Sequence, residues 1–348
     1  MRLSTPLYFL LLLLSAPAAA QVGGIAAYEF LNLPNSATLA ALGGHHIAVM
    51  DDDVTLATRN PALLNPQMDG ALALSHAFLP AGINNSYLTY ARYRPELRTT
   101  FSAGLQYVGY GELTRRDPTG LAQGTFSASD YALSVGAARR IEDRLTVGAH
   151  LKVIGSQLAG YGSLGLGIDA AVHYQDTSGR FNITLLARNF GRQLTHYADA
   201  REPMPFELQV GISRELRYLP FRFSVTYRFL DRWNILYDDP DAVDDFVLFD
   251  PDGTATAGRG PGAVFFDNLA RHFVLGGELL IGKRRNLRIR AGYNHGLRRE
   301  LRLSEFRSGA GYSFGFAWYT RRFSVAYGRG TYHLGGGVNQ LTIGTTLR

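Results

Sequence analysis

From Gly70 to the C-terminal Arg348 the sequence alternates between apolar and polar residues with a period of two. In "FRFSVTYRFL", Phe221, Phe223, Val225, Tyr227 and Phe229 fall on one face, and Arg222, Ser224, Thr226 and Arg228 on the other. "NLRIRAGYN" sets Leu287, Ile289, Ala291 and Tyr293 against Arg288, Arg290, Gly292 and Asn294. "RFNITLLAR" sets Phe181, Ile183, Leu185 and Ala187 against Asn182, Thr184 and Arg188. Successive side chains of a strand point to opposite faces, so these segments are strands between two unlike solvents. About fourteen can be counted, at 69–77, 85–94, 98–109, 124–139, 144–156, 161–175, 180–191, 206–216, 220–231, 271–281, 286–295, 310–319, 322–329 and 337–347. Most are near or above the roughly 9–11 residues of a tilted membrane strand.

An even strand number suits a closed antiparallel barrel, in which no sheet edge is left unpaired. The connections are asymmetric. "PEL", "RIED", "DTSG", "RYLP", "GKRR" and "RR" follow the even strands, whereas "YGELTRRDPTG", "GRQLTHYADAREPMP" and the long Asp231–Ala270 segment follow odd ones. Short turns on one side and long loops on the other is the pattern of outer-membrane barrels, with the short turns in the periplasm. A soluble sandwich would also alternate, with a dry core on one face and water on the other. Tyr107, Tyr110, Tyr227, Trp233, Trp318 and Tyr319 lie near strand ends and fit interfacial girdles, although a sandwich core would hold them too. The N-terminus favours the barrel. "MRLSTPLYFLLLLLSAPAAA" has a basic residue, an apolar core too short to span a bilayer, and a small-residue end, the pattern of a secretory signal peptide. The expected fold class is all-β: a closed antiparallel transmembrane β-barrel of about fourteen strands in the outer membrane. The expected division is a signal peptide at 1–20, an N-terminal hatch or plug segment at 21–68 and the barrel at 69–348.

Charge and composition exclude several functions. There is no cysteine, hence no disulfide and no thiolate metal site. The formal net charge is +6, carried almost entirely by arginine, since Lys152 and Lys283 are the only lysines. For an exported basic chain, membrane phosphates are the expected anions, and nucleic acid is not an expected partner.

Residues 21–68 do not alternate. "LPNSATLAALGG" reads as a short helix capped by Asn35 or Ser36 and stopped at Gly43. "DDDVTLATRNPALL" gives a polar turn, a helical turn from Asp53 to Thr58 and a proline-stiffened junction. In "RNPALLNP" the prolines Pro61 and Pro66 fix backbone angles, while Asn60 and Asn65 are placed to cap freed backbone groups around Ala62. So irregular a segment must dock on something, and the barrel interior is the available place. The competing reading is a plain proline turn leading into the first strand.

Other constellations carry little chemistry. His45-His46 with Asp51–Asp53 resembles a metal set, but adjacent histidines point apart, and an exposed polar turn is the expectation. The acidic loop around "DPDG" lacks the downstream glutamate of a calcium loop. Asp267 and Arg271 stand one helical turn apart in "DNLARH", and His272 has no nucleophile beside it; these three are expected loop contacts. No catalytic site and no cofactor is expected, and the chain reads as a non-enzyme. Arg188, Arg222, Arg228, Arg288 and Arg290 alternate with apolar residues, so a barrel would aim them into the lumen. There they would pair with hatch carboxylates such as Asp51–Asp53 or Glu29, or line a basic channel.

Four stretches carry a resemblance: "GGIAAYEFLNLPNSATLAALGG", "NPALLNP", "DNLARHFVLGGE" and "GYSFGF…YGRGTYHLGG". The chain resembles the PorQ family of the type IX secretion system, within the FadL-like superfamily of outer-membrane barrels, whose Asn-Pro-Ala motif marks an internal hatch. Here that motif is Asn60-Pro61-Ala62. The acidic insert at 238–262 has no match in that family. The resemblance implies a role in a cell-surface attachment complex, with PorZ-, PorU- and PorV-like proteins and lipopolysaccharide as partners. The loops at 192–205, 231–270 and 296–309 are then the expected contact surface. The alternative is a transporter of small hydrophobic molecules, as in the wider superfamily.

Overall fold

A computed structural model describes residues 26–197, 201–236, 261–301, 309–333 and 336–347. The signal-peptide reading and most of the acidic insert lie outside the described residues. Fourteen antiparallel strands close in sequence order into one barrel. They are β1 (Ala71–Phe78), β2 (Asn84–Arg94), β3 (Thr99–Arg116), β4 (Ala122–Glu142), β5 (Leu145–Leu158), β6 (Tyr161–Gln175) and β7 (Phe181–Thr195). The circuit continues through β8 (Glu207–Glu215), β9 (Phe221–Tyr227), β10 (Phe273–Ile281), β11 (Leu287–Asn294), β12 (Tyr312–Tyr319), β13 (Phe323–His333) and β14 (Gly336–Thr346). Closure is made by β1 on β14, from Ala71 against Thr346 to Phe78 against Asn339. All fourteen expected strands are present. β3 and β4 run to 18 and 21 residues, beyond what a bilayer needs, so their ends project on the long-connection side.

The side-chain parity decides between barrel and sandwich. Leu74, Leu88, Leu105, Leu133, Leu151, Leu166, Ile289 and Ile343 are exposed on the outside. Ser75, Thr89, Gln106, Ser134, Lys152, Arg290 and Thr342 are buried on the inside. Apolar out and polar in is the inverse of a water-soluble protein. Strands so arranged are stable only with lipid outside and every backbone group paired around a closed ring.

Parity also corrects the aromatic girdle. Tyr107 and Trp318 do face outward. Tyr110 and Tyr319 turn inward, because their neighbours in the alternation take the outer face. The Tyr110 hydroxyl donates to Asp130 at 2.6 Å, and that of Tyr319 to Asp53 at 3.3 Å.

Residues 26–68 run through the lumen from the long-connection end to the short-turn end. At the first end the Ala27 amide donates to the Pro203 carbonyl at 2.9 Å, and the Tyr28 hydroxyl pairs with Ser163 at 2.5 Å. The segment forms the short helix Ala37–Ala41, where the Ser36 hydroxyl accepts from the Leu39 amide at 3.3 Å, and it stops at Gly43, whose φ is +85°. A helical turn, Val54–Ala57, follows, with Asp53 as its cap. Leu39, Val49, Leu56 and Leu63 form an apolar core within the segment itself. Wall glycines let the segment approach the strands closely. A Cβ at Gly328 would lie 2.2 Å from the Ala37 carbonyl oxygen, and one at Gly292 would lie 2.3 Å from the Gly43 nitrogen.

Candidate functional site: the interface between the N-terminal segment and the barrel wall

The two Asn-Pro pairs build the junction. Asn60 Oδ1 accepts from the Ala62 amide at 2.9 Å, and its Nδ2 donates to the Ile47 carbonyl at 2.7 Å. Pro61 then opens a 3₁₀ turn, Pro61–Leu63. Asn65 repeats the device: Oδ1 accepts from the Gln67 amide at 3.0 Å, and Nδ2 donates to the Asp51 carbonyl at 2.7 Å, ahead of Pro66–Met68. An asparagine cap followed by proline, which has no N–H to leave unpaired, is a self-consistent turn start. The second amide group of each asparagine ties the turn back to residues 47–51. Ala62 is fully buried and packs with Ile47, Ala171 and Leu186. It approaches the wall at Gly148, where a Cβ would lie 2.5 Å from the Ala62 nitrogen.

Near the short-turn end lies an ion network. Arg288 grips Asp51 with both terminal nitrogens, Nη2 to Oδ1 at 3.2 Å and Nη1 to Oδ2. Arg222 Nη2 donates to Asp51 at 3.2 Å, and its Nε donates to Glu278 at 2.9 Å. Arg290 Nε donates to the other Glu278 oxygen at 2.8 Å and Nη2 to the Tyr319 hydroxyl at 3.1 Å. Glu278 stands in register opposite Arg222 on β9 and Arg290 on β11, so neighbouring strands dictate this part of the network. Burial alone would raise the Asp51 carboxyl, but Arg288 and Arg222 override it and hold the group well below the usual carboxylate range.

At mid-height the arrangement differs. Arg188 Nη2 donates to the Leu31 carbonyl at 3.1 Å, and Arg59 Nη1 donates to the Asn32 carbonyl at 3.3 Å. Arg59 Nη2 also donates to His45 Nδ1. Burial, and then the charges of Arg228, Arg59 and Arg188, keep the His45 imidazole neutral, with its pKa far below the ordinary value. Arg228 is held bidentately by Glu207 at 2.6 and 2.9 Å. Lys152 pairs with Asp169 at 2.6 Å.

These placements correct four expectations. His45 and His46 are buried inside the barrel and are not an exposed turn, because the segment carrying them threads the lumen. Arg188 meets one backbone carbonyl, that of Leu31, and Arg228 meets a wall glutamate; neither pairs with Asp51–Asp53. Glu29 accepts from Asn32 at 2.8 Å rather than meeting a wall arginine, since it lies on an exposed side of its turn. His272 is fully buried, its ring nitrogens 2.6 Å from the Arg228 carbonyl and 3.0 Å from that of Trp233. It pins the loop and presents nothing to a partner. Asp267 and Arg271 do pair, at 3.0 Å, on the helix Pro261–Arg271, and Arg299 joins Asp267 at 2.5 Å. Large apolar side chains exposed in this region include Trp233, Phe265 and Phe266.

The sequence reading missed Glu278, Glu207, Asp169 and Arg59. Glu278 carries the clearest signal, as the one charge in the apolar run "FVLGGELLI". At the short-turn mouth a cavity of about 680 Å³ lies between Asn65, Gln67, Tyr93, Arg98, Arg140 and Thr146.

No protein-family model matches the sequence, and no curated protein is detectably similar to it. Solved structures are similar in fold. A monoaromatic hydrocarbon channel, CymD, matches with a TM-score of 0.56 at 15% identity, over 92% of this chain and 99% of that one. A Pseudomonas aeruginosa FadL homologue matches with a TM-score of 0.50 at 11% identity, over 94% of this chain and all of that one. The protein therefore has the fold of the FadL-like outer-membrane barrels.

Proposed function

We propose that this protein is a non-enzymatic, FadL-like outer-membrane barrel that moves a small hydrophobic molecule, with its N-terminal segment as the gate. The observation that carries this reading is the match to a hydrocarbon channel over nearly the whole of both chains. An apolar layer in the lumen supports it. Tyr28, Phe30 and Leu31 of the segment pack with Val108, Ile154 and Met204 at the long-connection end, where an apolar solute would first meet the plug.

A second reading is favoured by the ion network. In it the barrel is a fixed outer-membrane component of a type IX secretion attachment complex, holding PorZ-, PorU- or PorV-like proteins and lipopolysaccharide. A plug gripped by Arg222 and Arg288 through Asp51 suits an anchor better than a passage. The four sequence stretches resembling the PorQ family point the same way. One experiment separates the two. The tagged protein is purified from its own outer membranes in mild detergent, and what accompanies it is identified by mass spectrometry. A monomer carrying hydrophobic small molecules, with no protein in fixed proportion, supports transport. Stoichiometric recovery of secretion proteins, with no such molecule, overturns it in favour of the anchor.

A further inference from the structure

Arg59 and Arg188 are among the largest fully buried side chains of the molecule. They reach adjacent carbonyls of one turn, Asn32 and Leu31, so both guanidinium groups converge on that turn. The nearby carboxylates are already engaged, Asp169 by Lys152 and Glu207 by Arg228. Among the described residues neither Arg59 nor Arg188 has an ion-pair partner. The remaining donors are also without acceptors: Nε and Nη1 of Arg188 and Nε of Arg59 are buried and unpartnered. Gln209 adds a third observation. It stands on β8 two residues from Glu207, the register partner of Arg188, and its fully buried amide has neither an acceptor for Nε2 nor a donor for Oε1. Two desolvated like charges with orphaned N–H groups are costly to fold. A negative charge among them offsets both the repulsion and the orphaned donors.

We propose that a small monovalent anion of halide size binds in the lumen between Arg59 and Arg188, bridging the N-terminal segment to β7. Both guanidinium groups are fully buried between the segment and the wall, so the ligand is a small inorganic ion and not the head of a lipid, whose acyl chains could not follow it there.

The test uses the full-length protein crystallised in sodium bromide, with data collected at the bromine absorption edge. The expected result is one anomalous peak in contact with both guanidinium groups, absent in Arg188→Gln. In detergent, the midpoint of thermal unfolding should be higher in chloride than in gluconate at equal ionic strength, and saturably so. That difference should vanish in Arg188→Gln and persist in Arg285→Gln, which breaks only an exposed pair with Glu215. Density without anomalous signal, meaning water, overturns the proposal. So does elongated density, meaning a lipid carboxylate. If Arg188→Gln does not assemble, the bromide map of the unaltered protein still decides.

Discussion

Two clusters of buried arginines, a few strands apart in one lumen, are held in opposite ways. Near the short turns, Arg222, Arg288 and Arg290 are matched by Asp51 and Glu278. At mid-height, Arg59 and Arg188 donate to carbonyls and a neutral histidine. In the first cluster the charge on the N-terminal segment is opposite to that on the wall, and the contact is a lock. In the second, both sides are positive, and the contact depends on what else lies between them. Alternation sends an arginine into the lumen in both cases. It does not say whether a carboxylate will be there to meet it.

The largest effect should come from breaking the lock. Asp51→Ala leaves Arg222 and Arg288 facing each other without the carboxylate they share. We expect a loss of about 3 kcal/mol, the lower end for a broken buried pair, read as denaturant unfolding in detergent. Adding Arg288→Ala should restore part of it, and strict additivity of the two changes would show that the pair is not coupled. The same lock predicts a pH dependence. The folded-state pKa of Asp51 is depressed below the ordinary 3.8, so its stabilisation is full above that value and is lost as pH falls through the folded-state value. Thermal stability should therefore fall more steeply in acid, below about pH 4, for the unaltered protein than for Asp51→Asn. Parallel curves would remove Asp51 as the titrating group.

Steric seating should come next. Gly328→Ala drives a Cβ against the Ala37 backbone, and we expect a cost of about 1–3 kcal/mol with the barrel still closed. Gly160→Ala, where a Cβ meets nothing, serves as the control and should change little. Asn60→Ala removes both a cap and the tie to Ile47, at about 1–2 kcal/mol; an effect as small as that of the control would mean that proline alone sets the turn. The smallest effect should be in the outer loop helix. Arg271→Ala weakens an i,i+4 pair and should cost about 0.5 kcal/mol. A larger loss there would show that the outer loops help to hold the plug.

Much of this molecule was legible in its sequence, and the reason is local. A strand's side chains alternate by covalent geometry, so "FRFSVTY" and "NLRIRAGYN" already specify which residues face lipid and which face the lumen. The caps at Ser36, Asp53, Asn60 and Asn65 are equally local, each satisfying an amide two or three residues away. What the tertiary structure alone decided is who meets whom. Asp51 reaches Arg222 and Arg288 across 171 and 237 residues of chain, and the register of β9, β10 and β11 places Glu278 between Arg222 and Arg290. The burial of His45, His46 and His272 is of the same kind, since a polar residue in a threaded segment or a folded loop looks like an exposed one until its neighbours close around it. Strand parity is a property of each residue and the next. Charge pairing is a property of strand stagger and of the path of the plug, which no short stretch of sequence contains.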